Sequence, residues 1–100
     1  MSYRVRFTQE ARDDLLRLYA FLAERDVQAA ERAKEAIAKG LALLQDFPFT
    51  CRKVSPDGSP FLRELLISFG SSGYVALFEI DSEAIVTVLA VRHQREDDYY

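Results

Sequence analysis

The chain has 100 residues, of which 49% are hydrophobic and 29% are charged, and its formal net charge is −3. This composition predicts one folded domain over residues 1–100, and no apolar run approaches the ~20 residues that a membrane span needs. The acidic balance disfavours general nucleic-acid binding, and a single cysteine and a single histidine exclude an intramolecular disulfide and a Cys/His zinc cluster. We therefore expect a cytoplasmic protein without a metal or cofactor.

The first half of the chain is predicted to form a strand and two helices. Residues 3–7 alternate apolar and basic, which is typical of a half-buried strand. Thr8 and Asp26 are suited to cap the N-termini of the two helices, which should pack as an antiparallel hairpin. Asp13 and Asp14 are expected on the solvent side of the first helix. The apolar positions recur at helical spacing, as Ala11, Leu15, Leu18, Tyr19 and Leu22 in the first helix and Ala30, Ala33, Ile37, Leu41 and Leu44 in the second.

Small residues predict a close approach of the two helices, because alanines crowd the start of the second helix and Gly40 lies inside it. Residues 49–60 follow and are predicted to form a loop, since this segment and its borders are rich in proline. A tight turn is expected at residues 56–58.

The last forty residues are predicted to form three strands, at 61–69, 74–80 and 85–91. The links at 70–73 and 81–83 are too short to join anything but antiparallel neighbours, so the strands should form a meander. We expect the first strand of the chain to lie beside the last. The fold class is therefore α+β, with an N-terminal strand, an antiparallel helical hairpin and a three-stranded antiparallel meander, the helices covering one face of a four-stranded sheet.

Both faces of the predicted sheet carry apolar residues. In the strand at 61–69, Leu65 and Ile67 point to one face, and Leu62 and Leu66 point to the other. A helical hairpin covers only one face of a sheet. Either a partner chain meets the second face, or the loop and the C-terminal tail pack on it.

Three features of the second half have simple structural interpretations. The glycine-rich segment 69–74 lacks the Lys-Ser/Thr of a P-loop and is predicted to be a hairpin turn. Glu79, Asp81 and Glu83 are predicted to form a solvated turn rather than a metal or acid–base site. Cys51 is predicted to be a half-buried hydrophobic residue rather than a reactive thiol.

The tail carries the residues best suited to chemistry. His93 follows an apolar strand directly, Arg92 and Arg95 flank it, and Tyr99 and Tyr100 lie beyond. Imidazole transfers protons near neutral pH, guanidinium stabilises a phosphorane-like transition state, and phenol moves a proton or stacks on a base, as a metal-independent ribonuclease requires. In the simpler interpretation, the histidine caps the strand end, the arginines pair with neighbouring acids and the tyrosines dock the terminus.

Five segments follow one another at fairly specific spacings, namely YRVRFT (3–8), ARDDL (11–15), LREL (62–65), GYV (73–75) and VLAVRHQRE (88–96). Their order and spacing resemble the RelE/ParE toxin superfamily over nearly the whole chain. The resemblance implies the toxin half of a bacterial type II toxin–antitoxin pair, and that superfamily's fold agrees with the element order predicted above.

Two branches of this superfamily have different activities. RelE-like members cut messenger RNA on the ribosome, with basic residues on the sheet and a tyrosine near the C-terminus, whereas ParE-like members bind and inhibit DNA gyrase. The nuclease pattern is met only in part, because Val75 stands where that branch has an arginine, and Leu66 or Ile67 stands where another is expected. Losing such a guanidinium costs a nuclease roughly a hundredfold or more in rate.

The resemblance therefore favours a ParE-like toxin that binds and inhibits gyrase without catalysis. The alternative is a RelE-like ribosome-dependent mRNA endonuclease, in which the arginines hold the phosphate and the histidine or a tyrosine moves protons. A degenerate, non-toxic member is a third hypothesis. The predicted target contacts are Arg63, Arg92, His93, Arg95, Tyr99 and Tyr100, and the catalytic set of the alternative is Arg63, Arg92, His93 and Tyr99.

The resemblance also implies a cognate antitoxin as partner, so we expect a hetero-oligomer. Antitoxins of this superfamily wrap their toxins with an amphipathic helix and an extended segment, which suits an apolar helix surface and sheet. The predicted antitoxin contacts are Leu16, Tyr19, Ile67, Phe69, Val75 and Leu77.

Overall fold

The computed structural model describes residues 2–95. Its helices and strands confirm the α+β class, and within the described residues no helix is long and apolar enough to cross a membrane. The elements are, in chain order, β1 (Arg4–Phe7), α1 (Gln9–Ala23), α2 (Val27–Ala42), β2 (Arg52–Lys53), β3 (Leu62–Phe69), β4 (Ser72–Ile80) and β5 (Ile85–His93), with short 3₁₀ helices at Leu43–Gln45 and Pro48–Thr50.

The helices begin at the two predicted caps. The hydroxyl of Thr8 accepts the backbone N–H of Ala11, and the carboxylate of Asp26 accepts that of Ala29, each at 3.1 Å. These bonds satisfy backbone donors that the first helical turn leaves without a partner. The predicted apolar series of the second helix is confirmed as buried, with Ala30, Ala33, Ile37 and Leu41 in α2 and Leu44 in the 3₁₀ helix that follows it.

The strands form one sheet in the order β1-β5-β4-β3-β2. The predicted meander is confirmed, because β3, β4 and β5 pair antiparallel in sequence. The prediction that the first strand lies beside the last is also confirmed, and β1 runs parallel to β5 with Val5 opposite Val86.

The prediction of a four-stranded sheet is wrong by one strand. Within the predicted loop, β2 pairs antiparallel with Arg63 and Glu64 of β3, and the guanidinium of Arg52 donates to the Glu64 carboxylate at 2.9 Å. A strand of two residues is too short for an alternating pattern to reveal, and its proline-rich surroundings indicated a loop. The predicted tight turn is present, with the N–H of Gly58 donating to the carbonyl of Ser55 at 3.1 Å.

The two helices pack on one face of the sheet, which we call the helix-covered face. Its centre is filled by Phe78, Val86 and Val88, all fully buried. A Cβ built on Gly40 would lie 2.8 Å from the side chain of Ile67. The close approach that Gly40 permits is therefore between α2 and β3, rather than between the two helices.

The opposite face, which we call the outer face, carries apolar and charged residues together. Val75 and Ala90 are 2% and 1% exposed there, whereas Leu66 is 49% exposed. Arg4 and Arg6 project from β1, whose other positions face the core. The outer face is thus a mixed surface, with charge at the β1 edge and apolar residues near its centre.

Candidate functional site

The predicted target contacts lie at two different ends of the sheet. His93 pairs with Tyr74 near the start of β4, while Arg63 pairs with Phe78, four residues farther along the same strand. At about 3.3 Å per residue, this places them roughly 13 Å apart along the strand direction, on strands that β4 separates. We call these two regions the histidine end and the loop end.

At the histidine end, the ring of His93 is held on both nitrogens. Nδ1 lies 3.1 Å from the backbone N–H of Arg95, which can only donate, so the neutral ring carries its proton on Nε2. Nε2 then donates to the hydroxyl of Ser72 at 3.1 Å. The ring also packs edge-to-face against Tyr74 at 5.6 Å between centroids. These contacts support the interpretation that His93 caps the strand.

The two arginines beside the histidine differ in accessibility. Arg92 lies on the outer face opposite Val75, is half-buried, and donates to the carbonyl of His93 at 3.3 Å. Arg95 is exposed, with its guanidinium 3.4 Å from the hydroxyl of Ser71. Arg95 is therefore the more accessible charge. Two predicted target contacts lie outside the described residues, namely Tyr99 and Tyr100.

At the loop end, the guanidinium of Arg63 is bound to the backbone of the preceding loop. It donates to the carbonyls of Pro60 at 2.7 Å, Cys51 at 2.8 Å and Phe49 at 3.1 Å. It also lies 5.3 Å from the centroid of the Phe49 ring. Because these carbonyls come from both ends of the loop, Arg63 holds the loop against β3. Burial raises the pKa of the neighbouring Cys51 thiol, against the smaller lowering effect of Arg63.

The last strand reaches the histidine end through a β-bulge. Ala90 pairs with Leu77, but Val88 pairs with the very next residue of β4, so Leu89 has no opposite partner. A bulge leaves backbone groups without ladder bonds. Here, the carbonyl of Leu89 accepts a hydrogen bond from the hydroxyl of Thr8 at 3.0 Å instead of a ladder bond.

Asp14 binds the same strand two residues farther on, beyond the last pair with β1 at Val88, and was missed in the sequence. Its carboxylate accepts the backbone N–H of Val91 at 2.9 Å, so its predicted place on the solvent side of α1 is wrong. A usable signal existed, because Asp14 follows Ala11 by three residues and precedes Leu18 by four, and both of these are buried. Asp14 is a positioning residue for the segment that leads to His93.

A groove of about 890 Å³ is lined by α1, α2 and β1. It is mostly apolar, and Arg12 and Lys34 are its charged lining residues. Two predicted antitoxin contacts lie here, since Leu16 lines the groove while 68% exposed, and Tyr19 lines it half-buried. The Tyr19 hydroxyl donates to the carboxylate of Glu31, and this hydrogen bond raises the pKa of Tyr19.

The other predicted antitoxin contacts lie away from the groove. Ile67, predicted as an antitoxin contact, is only 5% exposed and belongs to the core beneath α2. Phe69 is half-buried on the same face, and its ring lies 6.1 Å from that of Tyr74. Val75 and Leu77 lie on the outer face, where Leu77 is half-buried. The structure therefore divides the predicted antitoxin contacts among three places.

Comparisons with known proteins show the family of this chain and its fold. Residues 5–98 match the family described as ParE toxin of type II toxin-antitoxin system, parDE. Toxin RelE3 of Caulobacter vibrioides is 34% identical over 86 residues, covering 86% of this chain and 88% of the relative. Toxin RelE1 of the same organism is 34% identical over 80 residues, covering 80% and 82%. A solved structure titled "Chromosomal ParDE TA system from P. aeruginosa" has a TM-score of 0.73 at 18% identity, covering 92% of this chain and 96% of that chain, and so confirms the fold.

Proposed function

Because the chain belongs to the ParE toxin family of type II toxin–antitoxin systems, we propose that it acts in the cytoplasm by binding and inhibiting DNA gyrase. A cognate antitoxin neutralises it in a hetero-oligomer. The mechanism is binding to the target, without bond cleavage.

The bonding of Arg63 is the observation that carries this proposal. A nuclease must bring its guanidinium groups and its proton-transfer group to one phosphate. Instead, the guanidinium of Arg63 at the loop end donates hydrogen bonds to three loop carbonyls. His93 lies at the other end of the sheet, with both ring nitrogens in hydrogen bonds. Among the described residues, the predicted catalytic set is therefore not assembled, which supports a binding toxin.

The proposed target surface is the histidine end. Arg95 offers an exposed guanidinium, its backbone N–H caps the ring of His93, and Arg92 lies at the same strand end on the outer face. Tyr99 and Tyr100 stay predicted target contacts in this proposal. Arg63 supports the loop end instead of contacting the target.

The proposed antitoxin surface is the groove lined by α1 and α2. Its exposed Leu16 and half-buried Tyr19 suit the apolar side of an amphipathic helix. Arg12 and Lys34 are the charged residues of its lining, so acidic side chains flanking that apolar stripe would be attracted to them. Leu66 and Leu77 offer apolar contacts on the outer face for an extended segment of the antitoxin.

A ribosome-dependent mRNA endonuclease is the second candidate, because the two relatives from Caulobacter vibrioides carry the name RelE at 34% identity. One preparation of the protein tests both candidates, in a supercoiling assay with purified gyrase and in a message-cleavage assay on programmed ribosomes. We expect inhibited supercoiling and intact message. Cut message with normal supercoiling would replace the proposal with the endonuclease.

A variant pair locates the target surface in the same assays. Arg95→Ala removes the exposed guanidinium at the histidine end and should weaken gyrase inhibition about tenfold, within the range expected of an arginine anchor at a protein interface. Arg32→Ala removes an exposed arginine of α2 and should leave inhibition unchanged. Equal inhibition by both variants would move the target surface away from the histidine end.

A further inference from the structure

A small pocket lies at the loop end, next to the tip of the β4–β5 hairpin. Its volume is about 300 Å³, at the lower limit for ligand sites, so it suits a single side chain rather than a larger ligand. We call it the aromatic pocket, and its main lining residues are Tyr3, Phe49, Phe61, Ile80, Asp81 and Glu83.

The walls of the aromatic pocket are held by backbone bonds and ring packing. The N–H of Tyr3 donates to the carbonyl of Gln45 at 2.6 Å, and the N–H of Ile80 donates to that of Phe61 at 2.8 Å. Phe49 and Phe61 pack edge-to-face with 6.2 Å between ring centroids. A pocket that is already formed lowers the ordering cost of binding.

The charge at the pocket is negative. Asp81 is already paired with Arg6 at 3.3 Å and hydrogen-bonded to Thr87. Within residues 2–95, the exposed carboxylate of Glu83 makes no hydrogen bond or ion pair. Aromatic ring faces and a carboxylate both attract a cation. The pocket therefore favours a positively charged group.

The surroundings of the pocket indicate that this cation is carried by a protein. Phe49 and Phe61 remain 47% and 48% exposed although they pack against each other. Aromatic residues are enriched in protein interfaces, and these two rings can pack an apolar residue next to the cation.

We propose that the aromatic pocket binds an arginine or lysine side chain of a protein partner, with an apolar neighbour of that side chain on Phe49 and Phe61. The proposal goes beyond gyrase inhibition, because the pocket lies at the opposite end of the sheet from the proposed target surface. Glu83 supplies the charge and Phe61 supplies the ring face.

Titration of the ¹⁵N-labelled full chain with the peptide acetyl-Leu-Arg-Leu-amide tests this proposal by NMR. We expect saturable shifts of the backbone amides of Phe61 and residues 82–84. The matched peptide acetyl-Leu-Gln-Leu-amide should bind about fivefold more weakly, because it lacks the cation.

Two variants of the chain sharpen the test. Glu83→Gln should weaken binding of the arginine peptide about threefold, and Phe61→Leu about fivefold. Glu35→Gln and Phe21→Leu change exposed residues of the same types on the helices and should leave the affinity unchanged. The spectrum of each variant reports whether it is folded. If Phe61→Leu does not fold, the affinity of Glu83→Gln decides the test.

Three results would overturn the proposal. They are the absence of saturable shifts at the pocket, equal affinity for the arginine and glutamine peptides, and shifts centred on the groove residues Leu15 and Leu16.

Discussion

The loop end and the histidine end of the sheet use arginine in different ways. At the loop end, three backbone carbonyls accept hydrogen bonds from Arg63, whereas at the histidine end the exposed guanidinium of Arg95 lies 3.4 Å from one hydroxyl. The first arginine is needed to hold a loop, and the second is accessible to another molecule. The acceptors that surround an arginine, rather than its place in a motif, decide which of these roles it has.

Gly73 should give the largest effect of any single change at the histidine end. It has a φ of +144°, and a Cβ there would clash with the carbonyl oxygen of Ile67. Gly73→Ala should lower the free energy of unfolding by about 3 kcal/mol or more, measured by urea denaturation. Gly70→Ala is the matched control, since its φ is +63° and no atom lies within 4 Å, and it should cost about 1 kcal/mol. Equal losses would contradict the close approach at Gly73.

The loop end should depend on Arg63 in the same measurement. Arg63→Met keeps the length of the side chain but leaves three carbonyls without their donor, so the free energy of unfolding should fall by about 1–3 kcal/mol. Amide hydrogen exchange should rise in residues 49–60. Arg95→Met should change stability by less than about 0.5 kcal/mol. If the two variants are equally stable, the contrast between the two ends fails.

Asp14 tests how the histidine end is positioned from α1. Asp14→Ala leaves the N–H of Val91 without its acceptor and should cost about 1–2 kcal/mol in free energy of unfolding. Asp14→Asn keeps an acceptor oxygen and should restore most of that loss. Asp13→Ala, on the exposed side of α1, should have little effect. A loss from Asp13→Ala as large as that from Asp14→Ala would show that the bond to Val91 is unimportant.

The smallest expected effect is a pH dependence at the tip of the β4–β5 hairpin. Thr87 and, to a smaller extent, Arg6 hold the pKa of Asp81 below its ordinary value, while the hydrogen bond to Asp81 raises the pKa of Glu79. A carboxyl group whose pKa is lowered by folding stabilises the fold at pH values above its pKa in the unfolded chain. This stabilisation is lost as the pH falls through its pKa in the folded protein. The contribution of Glu79 to stability depends on pH in the opposite sense, since it is lost as the pH rises through the raised folded pKa of Glu79.

Asp81→Asn therefore tests the tip by thermal unfolding across acid and neutral pH. The variant should be less stable than the wild type by a few tenths of a kcal/mol at neutral pH, because the residue lies at the exposed hairpin tip, where solvent screens its ion pair with Arg6. The difference should shrink as the pH falls below the folded pKa of Asp81. Asp46→Asn, which changes an exposed aspartate away from the tip, serves as the control. A constant difference at all pH values would mean that the effect does not come from the charge of Asp81.

Much of the fold was predictable because periodicity reports burial directly. The apolar series of α2, the caps Thr8 and Asp26, and the meander all follow from local patterns that the structure confirms. The two-residue strand β2 was missed because its stability depends on contacts with β3, and the loop sequence around it carries no repeat.

The candidate site was less predictable because it depends on register and on long-range acceptors. The residues around Arg63 in the sequence do not show that Phe49 and Cys51 will turn their carbonyls toward it. Its separation from His93 follows from the pairing of both strands with β4. Asp14, in contrast, was misplaced although its spacing from buried neighbours contained the information.

The bulge at Leu89 has a consequence for how related sequences are aligned. Val88 and Val91 both reach the helix-covered face although three positions separate them, so the extra residue inverts the alternation for the rest of the strand. Deleting a single codon there would exchange the surfaces to which Arg92 and His93 belong, without shortening any loop. A one-residue gap at this point between homologues therefore marks a change in which side chain meets a ligand, and equivalent residues should be assigned by face rather than by column.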